Sequence, residues 1–554
     1  MARLVNSRIR LLLFLIVMTF GVLLGRSAWI ATVQASSLSS FAQAQTKATV
    51  VLPAGRGTIY DAMGTPLALG EQATTVYVDP HEIVRPQREA VTAARVLGLK
   101  ATDVLRALTT RGTHFVYIAR KASPRLATLL AQKKLPGFHF YGEERRTYPQ
   151  GAVAAPVLGY AGVDNTGLSG LELQLNSQLT GHAGSQTVVR DPTGRPISIQ
   201  SVTPAHDGKS AFLTLDHTIQ ANAEQVLRAT VSKFHAKSAT AIVIEPKTGA
   251  VLAMATQPGY DANLDGTRGL QNNPAVTNVF EPGSVFKVVT IAGALSEGLV
   301  TPSTAFTLPY SIRVADRVIH DAELRGTERM TVAQILQRSS NVGTVTIART
   351  LLGEARLKKW IAQFGFGQRT SIDFPGESGG LLPSYWSGST IGNVPIGQGV
   401  SVTAIQLASV YAAIANQGVW KQPHLVDHVQ GEKPAPPRTR RILSAGVDKQ
   451  LLTMLKGVVS DTGTAVAASV PGYSVAGKTG TAQKPSPTGG YAPGKYVATF
   501  VGMVPANDPR LVILVTVDEP QLQIFGGVVA APAFSQIAAF DLQYLEVPPD
   551  LPLR

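Results

Sequence analysis

The chain contains no cysteine. That excludes a disulfide framework, a thiolate nucleophile and any cysteine-based zinc site. Charged residues make up only 16% and aromatics 6% of the 554 residues. Lys and Arg nevertheless outnumber Asp and Glu by 50 to 36, a formal charge of +14. The basic residues are scattered and do not interleave with aromatics, which argues against nucleic acid as a partner. The excess suits solubility or attraction to anionic lipid and wall polymers. No Gly-x-Ser-x-Gly elbow, Walker loop or dinucleotide fingerprint occurs. The ten histidines are dispersed; His424 and His428 have metal-like spacing but lie beside Pro423 and Val426 in an extended segment, so they read as structural and no metal site is expected.

Long hydrophobic runs are equally scarce. Leu11 to Gly25 is uncharged over 15 residues, and Ser27 to Val33 extends the apolar character past Arg26, which can snorkel. Arg3, Arg8 and Arg10 precede this run, and the first acidic residue is Asp61. Charge asymmetry predicts a cytosolic N-terminus and an extracytoplasmic remainder. The rival is a cleaved signal peptide, whose apolar core has this length; no convincing Ala-x-Ala site follows at once, which favours an anchor.

What is present is 52 Gly and 35 Pro, the composition of strands, turns and long loops over two or three domains. Residues 35–50 are small and polar and read as a stalk. A strand-turn-strand is expected over Arg56 to Ala68 with Gly64 at the turn, helix over 86–135, and a strand with a turn from Val188 to Arg195. Near residue 206 a new unit starts: a short strand at Leu213–Leu215, an N-cap at Asp216, then Ile219, Ala223, Val226, Leu227, Val231 and Phe234 at helical spacing. Ala239–Ile244 and Val251–Ala255 form a hairpin around Pro246-Lys247-Thr248-Gly249, and Tyr496–Val504 and Leu511–Val517 a second strand pair. Strands at both ends with helices between imply an α+β or mixed α/β sandwich with one sheet closed by distant segments. Glu432 to Arg441 reads as a solvated, Pro-rich basic loop.

Three strings in fixed order could carry chemistry. Ser284-Val285-Phe286-Lys287 follows Pro282-Gly283 and opens an apolar helix. At i+3 Lys287 shares a face with Ser284 and can take its proton if burial and a nearby cation lower its pKa. The helix N-terminus adds free N–H groups where an oxyanion forms. Alone the string is weak: average composition supplies about one Ser-x-x-Lys at this length. Ser339-Ser340-Asn341 places a hydroxyl, Ser339, to relay a proton and an amide, Asn341, to orient Lys287 or the substrate backbone; a helix N-cap is the commoner role for such a cluster. Lys-Thr-Gly occurs twice. Lys247-Thr248-Gly249 precedes the nucleophile and reads as a hairpin turn. Lys478-Thr479-Gly480-Thr481 follows both other strings, and its small residues let a substrate pair with the strand edge. Lys478 supplies positive charge, Thr479 and Thr481 can bond a carboxylate, and the Thr481 N–H can join that of Ser284 as an oxyanion hole.

Together the three strings resemble the class B penicillin-binding proteins. Two more elements extend the resemblance over nearly the whole chain: Arg56-Gly57-Thr58-Ile59-Tyr60-Asp61, and Arg146-Thr147-Tyr148-Pro149 through Gly170-Leu171-Glu172. Ala62-Met63 departs from the Arg-Asn often found there. Glu281-Pro282-Gly283-Ser284, Ser339 to Gly343, Gly397-Gln398-Gly399 with Thr403, Gln406 and Leu407, and Lys478 to Ala482 are most like the septal branch. The resemblance implies a cytosolic tail (1–10), a single transmembrane anchor (11–33), an elongated mixed pedestal of dimerisation type (34–205) and a β-lactamase-like transpeptidase domain (206–554) with an antiparallel sheet and flanking helices. It leaves no room for a glycosyltransferase domain or for C-terminal repeat modules.

The implied activity is that of a serine D,D-transpeptidase. Ser284 attacks the bond between two terminal D-alanines of a peptidoglycan stem peptide, and the acyl group passes to an amine on a neighbouring stem. The implied site comprises Ser284, Lys287, Ser339, Asn341 and Lys478, with Thr479, Gly480 and Thr481 binding substrate, and needs no cofactor or metal. β-Lactams would acylate the same serine, and a multi-span glycan polymerase and other division proteins would be partners. The alternatives are an elongation-type enzyme, a D,D-carboxypeptidase or β-lactamase-like hydrolase, and a non-catalytic division scaffold. Intact Ser284, Lys287, Ser339 and Lys478 argue against the last.

Overall fold

The computed structural model describes residues 2–39, 47–190, 196–264 and 272–552. Contacts divide the chain into two compact units, Met1–Gly55 with Gly181–Gly208, and Arg56–Thr180 with Lys209–Arg554.

The first unit holds one long helix, Ala2–Thr32. Within it Asn6–Thr32 contains an 18-residue stretch with a mean hydropathy of 2.1, and the apolar side chains Leu11 to Leu24 are exposed along it. At 1.5 Å per residue its 27 residues reach about 40 Å, enough to cross a bilayer. The same unit contains a three-stranded antiparallel sheet with Gly184–Arg190 between Lys47–Leu52 and Pro196–Thr203. Part of the expected stalk is therefore strand, while residues 40–46 and the expected turn at 191–195 lie outside the described residues.

In the second unit, Ile59–Tyr60 and Pro66–Val78 form the expected strand pair, with Gly64 at φ 81° in the turn. The 86–135 segment differs from expectation. Helices Pro86–Leu97, Ala101–Leu108 and Pro124–Ala131 are interrupted by a strand, Val116–Ala122. That strand pairs with Pro66–Val78, and so does Phe138–Thr147. Pairing with a distant strand decided its conformation over local propensity. Val76, Val78, Ala90, Ala93, Val104, Leu108, Leu130 and Phe138 form the core of this part.

The two family elements of the pedestal meet in a buried charge cluster. Glu172 is fully buried and accepts from Arg56 Nε at 2.7 Å and from Arg146 Nε at 2.6 Å. Arg56 also donates to the Glu172 and Asn165 carbonyls, and Arg146 to that of Gly57. Three charges are thus held by nearly complete hydrogen bonding, the condition under which buried ions are tolerated.

The C-terminal part of this unit is built on a five-stranded antiparallel sheet. Its order is Val251–Gln257, Ser238–Ile244, Leu511–Asp518, Tyr491–Val504, Ala476–Pro485. The expected hairpin and second pair are both present, and the sheet closes through Ser238–Ile244 against Leu511–Asp518. All of Leu511 to Val517 is buried, so both faces are covered. Helices His217–Phe234 and Ala531–Tyr544 pack on the sheet and on each other, and Ala404–Ala415 packs on the central strands. Asp216 caps His217–Phe234, its Oδ1 accepting from Thr218 N at 2.8 Å and Ile219 N at 3.2 Å. The Pro-rich loop is exposed, but Thr439–Arg441 pairs with Val419–Lys421. His428 lies in the strand Val426–Val429 and stacks on Phe212, consistent with a structural part.

Candidate active site

Ser284 lies in a tight helical turn, Gly283–Phe286, that runs directly into the helix Lys287–Ser296. Every residue from Val285 to Leu295 is buried, so the apolar run fixes this helix in the core and leaves only Ser284 half-exposed at its start. The turn is held from several sides. Tyr411 Oη donates to the Val285 carbonyl at 2.9 Å, Gly283 N to the Gly397 carbonyl at 3.1 Å, and the Phe286 ring packs 5.0 Å from that of Phe366. Gly283 has φ 56°, and a Cβ there would sit 3.0 Å from the Thr481 carbonyl oxygen. The sequence needs glycine at this point both for the left-handed conformation and for the close passage of the Lys478 strand. Gly480 is the reciprocal case, with a built Cβ 2.9 Å from the Pro282 carbonyl.

Lys287 is completely buried. Its Nζ donates to the Ser339 carbonyl at 2.5 Å and to Ser339 Oγ at 3.1 Å. These are its hydrogen bonds in this structure; none joins it to Ser284 Oγ. Burial drives the lysine well below its ordinary range, and the charge of Lys478 pushes it further down while Asp321 opposes. Lys478 is also fully buried, bonds the Thr479 carbonyl and Oγ1 alone among the described residues, and is lowered by burial to about 7. Two buried amines facing one site are costly to protonate together, which favours a neutral, basic Lys287.

Within the middle string the three residues divide their work. Ser339 stands at φ 59°, a strained conformation for a residue with a side chain, and turns both carbonyl and hydroxyl to Lys287. Ser340 is the N-cap of Asn341–Ile347, accepting from Gly343 N at 2.9 Å. Asn341 does not reach Lys287: its amide donates to the His320 carbonyl at 2.9 Å.

The third string occupies the edge strand Ala476–Pro485, whose outer side has no strand partner among the described residues. Thr479 Oγ1 meets Thr464 Oγ1 at 2.8 Å, and Thr481 Oγ1 accepts from Gly526 N at 3.1 Å.

Three supporting residues lie outside the three strings. Asp321 accepts from Ser340 Oγ at 3.0 Å, Val342 N at 2.9 Å and Arg325 Nη2 at 2.5 Å, so it positions the Ser339 loop. Glu281 accepts from Gly399 N at 2.8 Å and Tyr491 Oη at 2.9 Å, tying the Ser284 segment to the Gly397-Gln398-Gly399 loop; burial raises its carboxyl. Tyr411 fixes the nucleophile turn from behind. Of the three, only Glu281 carries a signal in the sequence, as part of the Glu281-Pro282-Gly283-Ser284 string.

A serine at a buried helix start, a desolvated lysine one turn on, a second hydroxyl bonded to it and a cationic edge strand define the serine acyltransferases of the penicillin-binding fold. Residues 239–539 match the penicillin binding protein transpeptidase domain, and residues 51–213 the penicillin-binding protein dimerisation domain. Penicillin-binding protein PbpB of Mycolicibacterium smegmatis is 36% identical over 93% of this chain and 87% of its own length. Peptidoglycan D,D-transpeptidase FtsI of Escherichia coli is 33% identical over 99% and 94%. The crystal structure of penicillin binding protein 3 from Mycobacterium tuberculosis complexed with aztreonam superposes with a TM-score of 0.72 at 32% identity, over 91% of this chain and 99% of that one. The chain belongs to the class B penicillin-binding proteins, and its N-terminal helix is long and apolar enough to cross a membrane.

Proposed function

We propose that this protein is a peptidoglycan D,D-transpeptidase that works through an acyl-enzyme on Ser284. The observation that carries the reading is Lys287: fully buried, held on Ser339 and one helical turn from Ser284. A neutral Lys287 accepts the Ser284 proton as Oγ attacks the carbonyl between two terminal D-alanines. The Ser284 Oγ–C bond forms, the amide C–N bond breaks, and Ser339 passes the proton to the departing D-Ala amine. The amine of a second stem then attacks the ester, loses its proton to the same relay and releases Ser284.

The stem peptide adds along the edge strand at Thr479, Gly480 and Thr481, a backbone-pairing mode that needs small side chains. Thr481 Oγ1 accepts from Gly526 N, which leaves its own proton free for the substrate carboxylate. Lys478 contributes positive potential beside that carboxylate, and the Ser284 and Thr481 N–H groups receive the oxyanion. Asn341 faces the substrate backbone rather than the lysine, in keeping with its bond to His320.

The similarity to FtsI favours a septal role. Arg3, Arg8 and Arg10 ahead of the apolar helix favour a cytosolic N-terminus with the catalytic domain outside. The anchor and the pedestal are then the parts that a multi-span glycan polymerase would hold, with residues 1–55 supplying the anchor's share. Exchanging them for an unrelated anchor should abolish co-purification with that partner, and unchanged co-purification rejects this part.

The activity is tested with a pentapeptide donor and an amino-acceptor peptide. Transfer product that disappears in Ser284→Ala and Lys287→Ala supports the transpeptidase. Hydrolysed tetrapeptide without transfer product marks a carboxypeptidase instead.

A further inference from the structure

Far along the sequence from the catalytic strings, the pedestal brings together Asp79, His81 and His114. Asp79 Oδ1 lies 3.1 Å from His81 Nδ1, and Asp79 Oδ2 lies 2.9 Å from His114 Nδ1. One ligand atom from each residue falls within 4.8 Å of the others. The imidazole rings stack at 4.1 Å, inclined by 24°. We propose that these three residues bind a first-row divalent transition-metal ion of the zinc type, through two imidazole nitrogens and one carboxylate oxygen.

The donor set is one that selects such ions over magnesium or calcium, which prefer all-oxygen sites. The carboxylate is held in place before any ion arrives. Asp79 N donates to the Gly137 carbonyl at 2.9 Å, its own carbonyl accepts from Glu82 N at 3.1 Å, and its Oδ1 accepts from His81 N at 2.9 Å. A Cβ on Gly137, at φ 72°, would lie 2.8 Å from the Asp79 carbonyl oxygen, so the segment cannot drift. His114 is fixed through its backbone. Thr113 Oγ1 closes a turn onto Phe115, whose ring stacks 4.5 Å from Tyr77 on the strand that leads to Asp79.

A dication here would be bound by one nitrogen from each ring and one Asp79 oxygen, with water completing four-coordination. The side chain of Asp79 is 17% exposed, those of His81 and His114 51% and 77%, so an ion can enter from solvent. The second such cluster, Asp61, Asp216 and His217, lacks this freedom. Its carboxylates already serve the Met63 and Thr65 N–H groups, the cap at Thr218 and Ile219, and Tyr544 Oη. The proposed ion would staple the turn at Pro80–Glu82 to the loop that precedes Val116–Ala122, stabilising the pedestal by mass action.

The test uses full-length protein in detergent, stripped with chelator, then titrated with Co2+ for its visible absorption and with Zn2+ against a chromophoric chelator. One equivalent of tetrahedral-type Co2+ absorption, displaced by Zn2+, is expected in the wild type and in His428→Ala. Its loss is expected in His114→Ala and in Asp79→Asn. Zn2+ should raise the melting temperature of the wild type and leave that of His114→Ala unmoved. His114 is exposed, so His114→Ala should label with penicillin like the wild type, which verifies its folding. Absence of stoichiometric Co2+ uptake by the wild type, or equal uptake by His114→Ala, overturns the proposal.

Discussion

Replacing Lys478 with Met should make the protein more stable and catalytically inert at the same time. Lys478 is wholly buried and, among the described residues, makes hydrogen bonds only to its neighbour Thr479. Burial lowers its amine from 10.5 to about 7. A gap of about 3.5 at 1.36 kcal/mol each is about 5 kcal/mol, an upper bound on the penalty for holding this ammonium in the folded state. The unfolded chain binds the proton more tightly, so between pH 10.5 and 7 the folded state loses stability as the pH falls. Methionine fills a similar volume without a charge. At pH 6.5 Lys478→Met should therefore gain about 1–4 kcal/mol, the range seen when buried ions give way to apolar residues, and most of that gain should vanish near pH 10. Thermal unfolding at the two pH values reads the difference, as a shift of several degrees that shrinks with alkalinity. Penicillin acylation in the same samples should fall about 100-fold or more, because a charge aimed at the substrate carboxylate is gone. A lower melting temperature at pH 6.5, or a gain independent of pH, would refute the argument.

Gly283→Ala should fold, yet acylate about 100-fold more slowly. The new Cβ meets the Thr481 carbonyl at 3.0 Å in a left-handed conformation that costs about 1–2 kcal/mol, and both displace the nucleophile from the edge strand. Acylation at the wild-type rate rejects that geometry. Glu172→Ala leaves Arg56 and Arg146 buried without a counter-charge and should destabilise by about 3–5 kcal/mol, seen as a lowered melting temperature and faster proteolysis. An unchanged melting temperature would contradict it. With Lys287 lowered by burial and by Lys478, the acylation rate should reach its plateau well below the pH range in which an ordinary lysine amine titrates. A rate that keeps climbing toward pH 10 would show a lysine with an ordinary amine.

Elements whose period matches their burial are legible in the sequence itself. Ser238–Ile244 and Val251–Gln257 flank a Pro-Lys-Thr-Gly turn, and His217–Phe234 follows its own Asp216 cap. The strings at Ser284, Ser339 and Lys478 are legible because their residue types are needed together, and the fold brings Lys287 onto Ser339 and Gly283 against Thr481. The strand Val116–Ala122 is hidden in an apparently helical segment because its partner, Pro66–Val78, lies about forty residues away. Asp321 and Tyr411 are equally hidden: they act through long-range hydrogen bonds that leave no local pattern. The same holds for His114, which the pairing of Val78 with Val116 brings to Asp79 and His81.

The central claim is that Ser284 carries the acyl group. It is tested most directly by treating full-length protein with a penicillin and locating the adduct by mass spectrometry of its peptides. The account predicts one adduct of the intact drug mass, stable over hours, on the peptide that contains Ser284, and none in Ser284→Ala. An adduct on another residue, or undiminished labelling of a folded Ser284→Ala protein, would contradict it.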